Sequence, residues 1–190
     1  MDISELMEQY AQALSRYEEC ESIVESEHRS YLYAVESSEE FNPITLEVMY
    51  NSKWAKLIPE RKRNEDIAKK EFEQAKRLLD FVHKSYCMAS ENMSSNDAMQ
   101  NQMIAESKYL KLKEEYDNLS ELRESSEEIG KKNDHDYGYE KALPYYNKSR
   151  ECYYKMKKLE PIMRVYESFS KNLKYNAEEK QKKEYGSKKL

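Results

Sequence analysis

The chain has 190 residues, of which 36% are charged and 38% hydrophobic, and it carries a formal net charge of −5. A mean hydropathy of −1.08 lies near the polar limit for an ordered protein, but 17 Tyr, 4 Phe and one Trp are aromatic content that disordered chains lack. Only 3 Gly and 4 Pro are too few for the tight turns of a sandwich or barrel, so an all-α fold is expected.

The first residues, Met1-Asp2-Ile3-Ser4-Glu5, show neither a basic nor an apolar run, so no secretory signal is read there. No stretch approaches the roughly 18 apolar residues of a membrane span. Cys20, Cys87 and Cys152 are odd in number and far apart, which suits reduced thiols near a helical core and an intracellular, cytoplasmic location. Charge is unevenly placed: residues 1–40 hold eleven acidic and two basic groups, while residues 171–190 hold seven Lys against three Glu.

The first predicted element is a helix over about 2–37. Ile3, Met7, Tyr10, Leu14, Tyr17, Glu21, Val24, His28, Tyr31 and Val35 alternate spacings of four and three, a heptad seam broken by Glu21 and His28. Leu6, Ala13 and Cys20 widen its apolar face, as a multi-helix bundle requires. Asn42-Pro43 reads as a cap and a proline at the first helical position, opening a second helix over 43–91 that is kinked at Pro59. Its seam begins with Leu46, Tyr50, Lys53 or Trp54, and Leu57, and after Pro59 continues through Ala68, Phe72, Ala75, Leu79, Val82, Tyr86 and Ala89.

Ser94-Ser95-Asn96-Asp97 supplies the next turn and cap. A third helix is predicted over 96–130, with Ala98, Gln102, Ala105, Tyr109, Leu112, Tyr116 and Leu119 inward and Met99 and Met103 beside them. The polar stretch 131–138 is expected to be a mobile connection. The fourth helix, over 139–179, carries Tyr139, Ala142, Tyr146, Ser149, Tyr153, Met156 and Leu159, is kinked or broken at Pro161, continues with Met163, Tyr166, Phe169 or Ser170, Leu173 and Ala177, and gives way to a basic flexible tail over 181–190. Together these make one elongated domain over 1–180, an antiparallel helical bundle or pair of long helical hairpins with coiled-coil-like seams.

Within it, Ile129-Gly130 and the stretch from Tyr137-Gly138-Tyr139 through Ala142-Leu143-Pro144-Tyr145-Tyr146 to Ser149 resemble the middle of a tetratricopeptide repeat. In that family a Gly in one helix and an Ala followed four residues later by an aromatic in the next let two helices pack closely. The first-helix aromatic is missing, Pro144 sits where helix is expected, and nothing similar recurs about 34 residues away. The resemblance therefore implies a close helical hairpin.

Reactive chemistry finds little support. Glu25-x-x-His28 and Asp80-x-x-His83 have the acid-to-histidine spacing of carboxylate-bridged di-metal centres, but a turn near residue 40 would separate the two by roughly 45 Å along antiparallel helices. His83-x-x-x-Cys87 is one ligand pair where a structural zinc needs two. No Gly-rich loop or nucleophile elbow is present. The expectation is a non-enzymatic scaffold or adaptor, a protein-binding subunit of a larger assembly, with no cofactor, no metal and no catalytic residue. Its partners are other proteins or a second copy of itself. The aromatic and basic residues hardest to bury in a thin bundle, Trp54, Arg61, Arg63, Tyr145, Tyr153 and Tyr154, are the expected contacts.

An alternative is a peripheral membrane protein: long kinked helices with clustered basic residues resemble, in outline, the BAR-type crescent dimers. A bundle-type metal enzyme is a further alternative. Nucleic acid is a poor fit for a chain with pI near 5.5.

Overall fold

The computed structural model describes the backbone of residues 2–42 and 47–187, and their side chains apart from those of 40–42, 47–50, 52 and 184–187. The chain is all-α in class, with four long helices: α1 (Ile3–Ser38), α3 (Ile58–Glu91), α4 (Ser95–Tyr137) and α5 (Tyr139–Ser187). Between α1 and α3 lie two short strands, β1 (Glu39–Asn42) and β2 (Glu47–Tyr50), and the single-turn helix α2 (Ser52–Ala55). The strands pair antiparallel, Glu39 opposite Tyr50 and Asn42 opposite Glu47. By density of contacts the chain forms two compact units, Arg16–Phe81 and a discontinuous one of Met1–Ser15 with Val82–Leu190; the divisions fall within α1 and α3. The expectation was a single domain over 1–180.

In the unit Arg16–Phe81, α1 and α3 run antiparallel, since their partners advance in opposite directions: Tyr17 meets Phe72, His28 meets Glu65, and Tyr31 meets Lys62. Among the described residues its buried side chains are few and mostly small: Cys20, Ala34, Ser38, Ala68 and Ala75, with Glu65 the large one. The predicted helix over 43–91 is corrected at its start. Asn42 ends a strand, and the cap expected at Asn42-Pro43 falls partly outside the described residues, as does Leu46. Phe41, Val48 and Tyr50 are residue types that favour extended backbone, and Asn51 N–H extends the pairing by donating to Ser38 O at 2.8 Å. The Asn51 carboxamide oxygen then accepts from Lys53 N–H and caps α2. Pro59 does not interrupt a helix, because it occupies the first turn of α3, where its missing N–H has no intrahelical partner to lose.

The second unit is built on the α4–α5 hairpin. Ser95 Oγ–H donates to Ala177 O, Gln102 to Ser170, Lys108 to the Tyr166 hydroxyl, and Tyr116 to Glu160, so the two helices are antiparallel along their length. Small buried residues allow close approach: Ser95, Ala98, Ala105, Ser126 and Gly130 on α4, and Ala142, Cys152 and Ala177 on α5. A Cβ on Gly130 would come within 2.8 Å of the Tyr146 ring, which is the close hairpin contact that the local resemblance implies. α4 begins where its cap predicts, with Ser94 Oγ accepting from Asp97 N–H at 3.1 Å.

Its end differs from expectation. The stretch 131–137 is helical, and the turn is made by Gly138 alone, at φ 88° and ψ 165°. That region is nearly closed to any residue with a Cβ, at a cost of roughly 1–3 kcal/mol. α5 runs on through both Pro144 and Pro161 and past the predicted end at 179; each proline removes one bond of the helical ladder. The tail expected over 181–190 is helical to Ser187, with 188–190 outside the described residues.

At the far end of this hairpin, Ile3, Leu6, Met7 and Ala11 of α1 pack with Tyr86 of α3, Ala105 of α4, and Val165, Tyr166, Phe169 and Leu173 of α5. This is the main core of the unit. Lys180 of α5 closes it by donating to three backbone oxygens at the end of α3 and the turn beyond, those of Ser90, Glu91 and Met93. A cation there satisfies orphan carbonyls and opposes the negative end of the helix dipole. Lys180→Met keeps the stem and removes the ammonium; it should destabilise this unit by about 1–2 kcal/mol. In hydrogen exchange the amides of residues 88–94 should lose protection first, and unchanged protection there would show the contact to be incidental.

Candidate functional site

Two clusters of chemistry-bearing side chains stand out, one in each unit. In Arg16–Phe81 the Glu65 carboxylate is buried, with only 1% of the residue exposed. One oxygen, Oε1, lies 2.8 Å from His28 Nδ1 and 2.6 Å from Lys69 Nζ, while Lys62 Nζ donates to Oε2 at 2.8 Å. The hydrogen bonds from Lys62 and Lys69, together outweighing the cost of burial, hold this carboxyl down to about 2. His28 is the histidine that interrupts the α1 seam, and Glu65 sits at the matching seam position of α3. The two interruptions face each other. A buried carboxylate met from the facing helix by a half-exposed histidine ties the register of the two helices. His28 therefore serves Glu65 and not the Glu25-x-x-His28 pattern, and among the described residues no three His, Cys, Asp or Glu side chains converge to hold a metal ion.

In the other unit, an open groove of about 400 Å³ lies among α1, α3 and α5. Its aromatic floor is Tyr10, Tyr86 and Phe169, with ring centroids of Tyr86 and Phe169 4.2 Å apart and of Tyr10 and Phe169 5.4 Å apart. α3 contributes His83 and Cys87 to the lining, His83 Nε2 being 3.7 Å from Cys87 Sγ, and Ser90 one turn on. α5 contributes Ser168, Asn172 and Asn176, spaced four residues apart, and Arg164 and Tyr175 complete the lining. The Asn172 amide donates weakly to Ser168 Oγ at 3.5 Å.

Burial pushes the Tyr86 phenol up to about 12, with Cys87 next to it adding a smaller effect in the same direction; Tyr10 is raised for the same two reasons. The Tyr86 hydroxyl is buried and has no hydrogen-bond partner among the described residues. Such a group costs about 1–3 kcal/mol and calls for an explanation.

The six residues expected to make contacts divide between the units. Trp54 lies in α2, half-buried, its ring edge-on to Tyr33 at 5.2 Å. Arg61 is half-buried and Arg63 exposed in the first turns of α3. The other three lie along α5. Tyr145 is half-buried, whereas Tyr153 and Tyr154 are 41% and 58% exposed, with centroids 5.8 Å apart. The Arg123 guanidinium stands 5.4 Å, and Lys157 Nζ 5.9 Å, from the Tyr153 ring centre. Tyr139, Tyr146 and Tyr153, read from spacing as seam residues, sit on its flank. The buried row keeps Ala142, Met156, Tyr166, Leu173 and Ala177, which the spacing also picks out, and adds Cys152 where the tyrosines fall aside. Ser168, Asn172, Asn176 and Glu65 carry no signal that singles them out in sequence beyond their spacing.

Comparison with protein-family models, curated protein sequences and solved structures returns no match for this chain, so the side-chain arrangement carries the functional reading by itself.

Proposed function

We propose that the chain is a non-enzymatic helical scaffold or adaptor, a protein-binding subunit of a larger intracellular assembly. The observation that carries this reading is the Tyr153–Tyr154 pair on α5, two large aromatic side chains at the surface with Arg123 and Lys157 ranged against Tyr153. Aromatic and arginine side chains held in place before binding lose little entropy on association, and they dominate the energy of protein interfaces. A long hairpin with a rigid small-residue seam is a frame on which such groups keep fixed spacing.

Three free cysteines, Cys20 and Cys152 buried and Cys87 half-buried, support a reducing compartment. Among the described residues no helix is long and apolar enough to cross a membrane.

The test is capture of partners from the source cell by the intact chain and by the double substitution Tyr153→Ala/Tyr154→Ala. Both side chains are substantially exposed, so the fold should survive, as circular dichroism can confirm. The double variant should weaken retention of the principal partner at least tenfold, as loss of a hot-spot pair of 2 kcal/mol or more would do, on the order of what such residues contribute. Undiminished retention by a folded variant would remove this surface from the reading.

A further inference from the structure

The groove floored by Tyr10, Tyr86 and Phe169 has polar walls that a purely structural cleft does not need. Asn172 and Asn176 occupy successive turns of α5, so their carboxamides repeat about every 6 Å along the helix axis. An extended peptide repeats every two residues, about 6.6–6.8 Å. A carboxamide offers one acceptor and a donor pair in one plane, the complement of a peptide N–H and C=O. Two of them at this interval match alternate peptide groups of a strand lying along α5. The Asn176 side chain makes no hydrogen bond among the described residues, and that of Asn172 makes a single weak one, to Ser168 of its own helix.

Beneath them the floor is aromatic and includes the Tyr86 phenol, buried and without an acceptor among the described residues. The volume, about 400 Å³, lies at the small end for ligand sites and suits one large side chain with a short length of backbone. Charge selects further. No carboxylate lines the groove, although the whole chain is net −5 and rich in Glu, while His83 and Arg164 do line it.

We infer that this groove binds an extended peptide segment that seats one aromatic or large aliphatic side chain on the Tyr10–Tyr86–Phe169 floor, is clasped through its backbone by Asn172 and Asn176, and carries neutral or acidic flanks. The inference rests on the reading of the chain as a protein-binding module and adds a second contact, separate from Tyr153 and Tyr154. A peptide seated this way anchors by its apolar side chain and is held in direction by the two amides, a division of labour common to strand-like recognition.

The test uses the full chain and immobilised pools of end-blocked nonapeptides whose central residue is fixed as phenylalanine, leucine or alanine, with flanks degenerate among neutral and acidic residues. Phenylalanine- and leucine-centred pools should bind at least tenfold better than the alanine-centred pool. Binding should fall at least tenfold for Asn172→Ala/Asn176→Ala, whose thermal unfolding should match the wild type, and equally for pools N-methylated on either side of the central residue. Equal binding by wild type and double variant, or no preference for the large central residue, would overturn the inference. So would p-cresol binding as tightly as the best pool, because the groove would then be a small-molecule site. Because the Tyr153→Ala/Tyr154→Ala variant leaves the groove intact, the module reading can survive failure here, and a groove result can stand if that surface proves idle.

Discussion

Replacing Phe169 by Ala should cost the unit of Met1–Ser15 and Val82–Leu190 about 3–5 kcal/mol, the range for deleting a buried aromatic ring. Phe169 is 5% exposed and lies between Tyr10 of α1 and Tyr86 of α3, touching both rings. Its loss therefore removes area burial and two aromatic contacts worth about 0.5–1.5 kcal/mol each beyond that. Collapse around the gap is hindered, because Leu173, Met7 and Ala105 are already fully enclosed. Against a domain stability of roughly 5–15 kcal/mol this is a large fraction.

The two units permit an internal control. Trp54, the single tryptophan, belongs to Arg16–Phe81, so its fluorescence follows that unit while far-ultraviolet circular dichroism follows all helices. In urea the dichroism midpoint of Phe169→Ala should fall markedly. A loss under about 1 kcal/mol would show that the ring is not central to the packing.

Acid should act on the other unit through Glu65. Its folded carboxyl sits at about 2, below the ordinary 4.5, so the folded state gives up this proton more readily than the unfolded chain. Its contribution to stability is then complete above about 4.5 and is lost as pH falls from there towards about 2. Glu65→Gln keeps the shape and removes the titration, and it leaves Lys62, Lys69 and His28 gathered about a neutral group. Followed by Trp54 fluorescence, the gap in stability between wild type and Glu65→Gln should be at its full width at pH 5 and above and should close as pH approaches 2. A gap that does not change with pH would mean that the carboxylate charge does nothing for this unit and that only its shape matters.

Much of this architecture is legible from residue spacing, and the exceptions have physical reasons. The α1 seam and the Ser94 cap are readable because apolar period and capping chemistry are local. The stretch 131–137 reads as a loop because six polar residues in succession before Tyr137 look solvated, yet a solvated face is what the outer side of a long helix presents; Gly138 is what forbids continuation. The strands at 39–50 were hidden by Asn42-Pro43, a pair that suits a turn as well as a helix start. On α5 the spacing picks out Ala142, Met156, Tyr166, Phe169, Leu173 and Ala177, which are buried, but also Tyr153, which is not, Cys152 being buried beside it. Hydrophobicity alone does not choose Cys152 over Tyr153, since that depends on how closely α4 approaches.

The groove was half visible. His83 and Cys87 stood out as a spaced pair, whereas Ser168, Asn172 and Asn176 resemble any polar helix surface until α1 and α3 are placed beside them. Glu65 was missed for a related reason: a glutamate is ordinary on a helix, and only its position opposite His28 makes it unusual.

The ends of the larger unit are distant in sequence. Ile3, Leu6 and Met7 find their partners in Val165, Phe169 and Leu173, so on the ribosome the opening turns of α1 must wait with an apolar face uncovered until those residues of α5, about 160 positions later, have emerged. The unit Arg16–Phe81 is contiguous and can form much earlier. Synthesis thus orders the assembly, early for the Glu65 hairpin and late for the aromatic core. The waiting N-terminal segment, whose outward side bears Asp2, Glu5 and Glu8, is kept soluble meanwhile by its own negative charge.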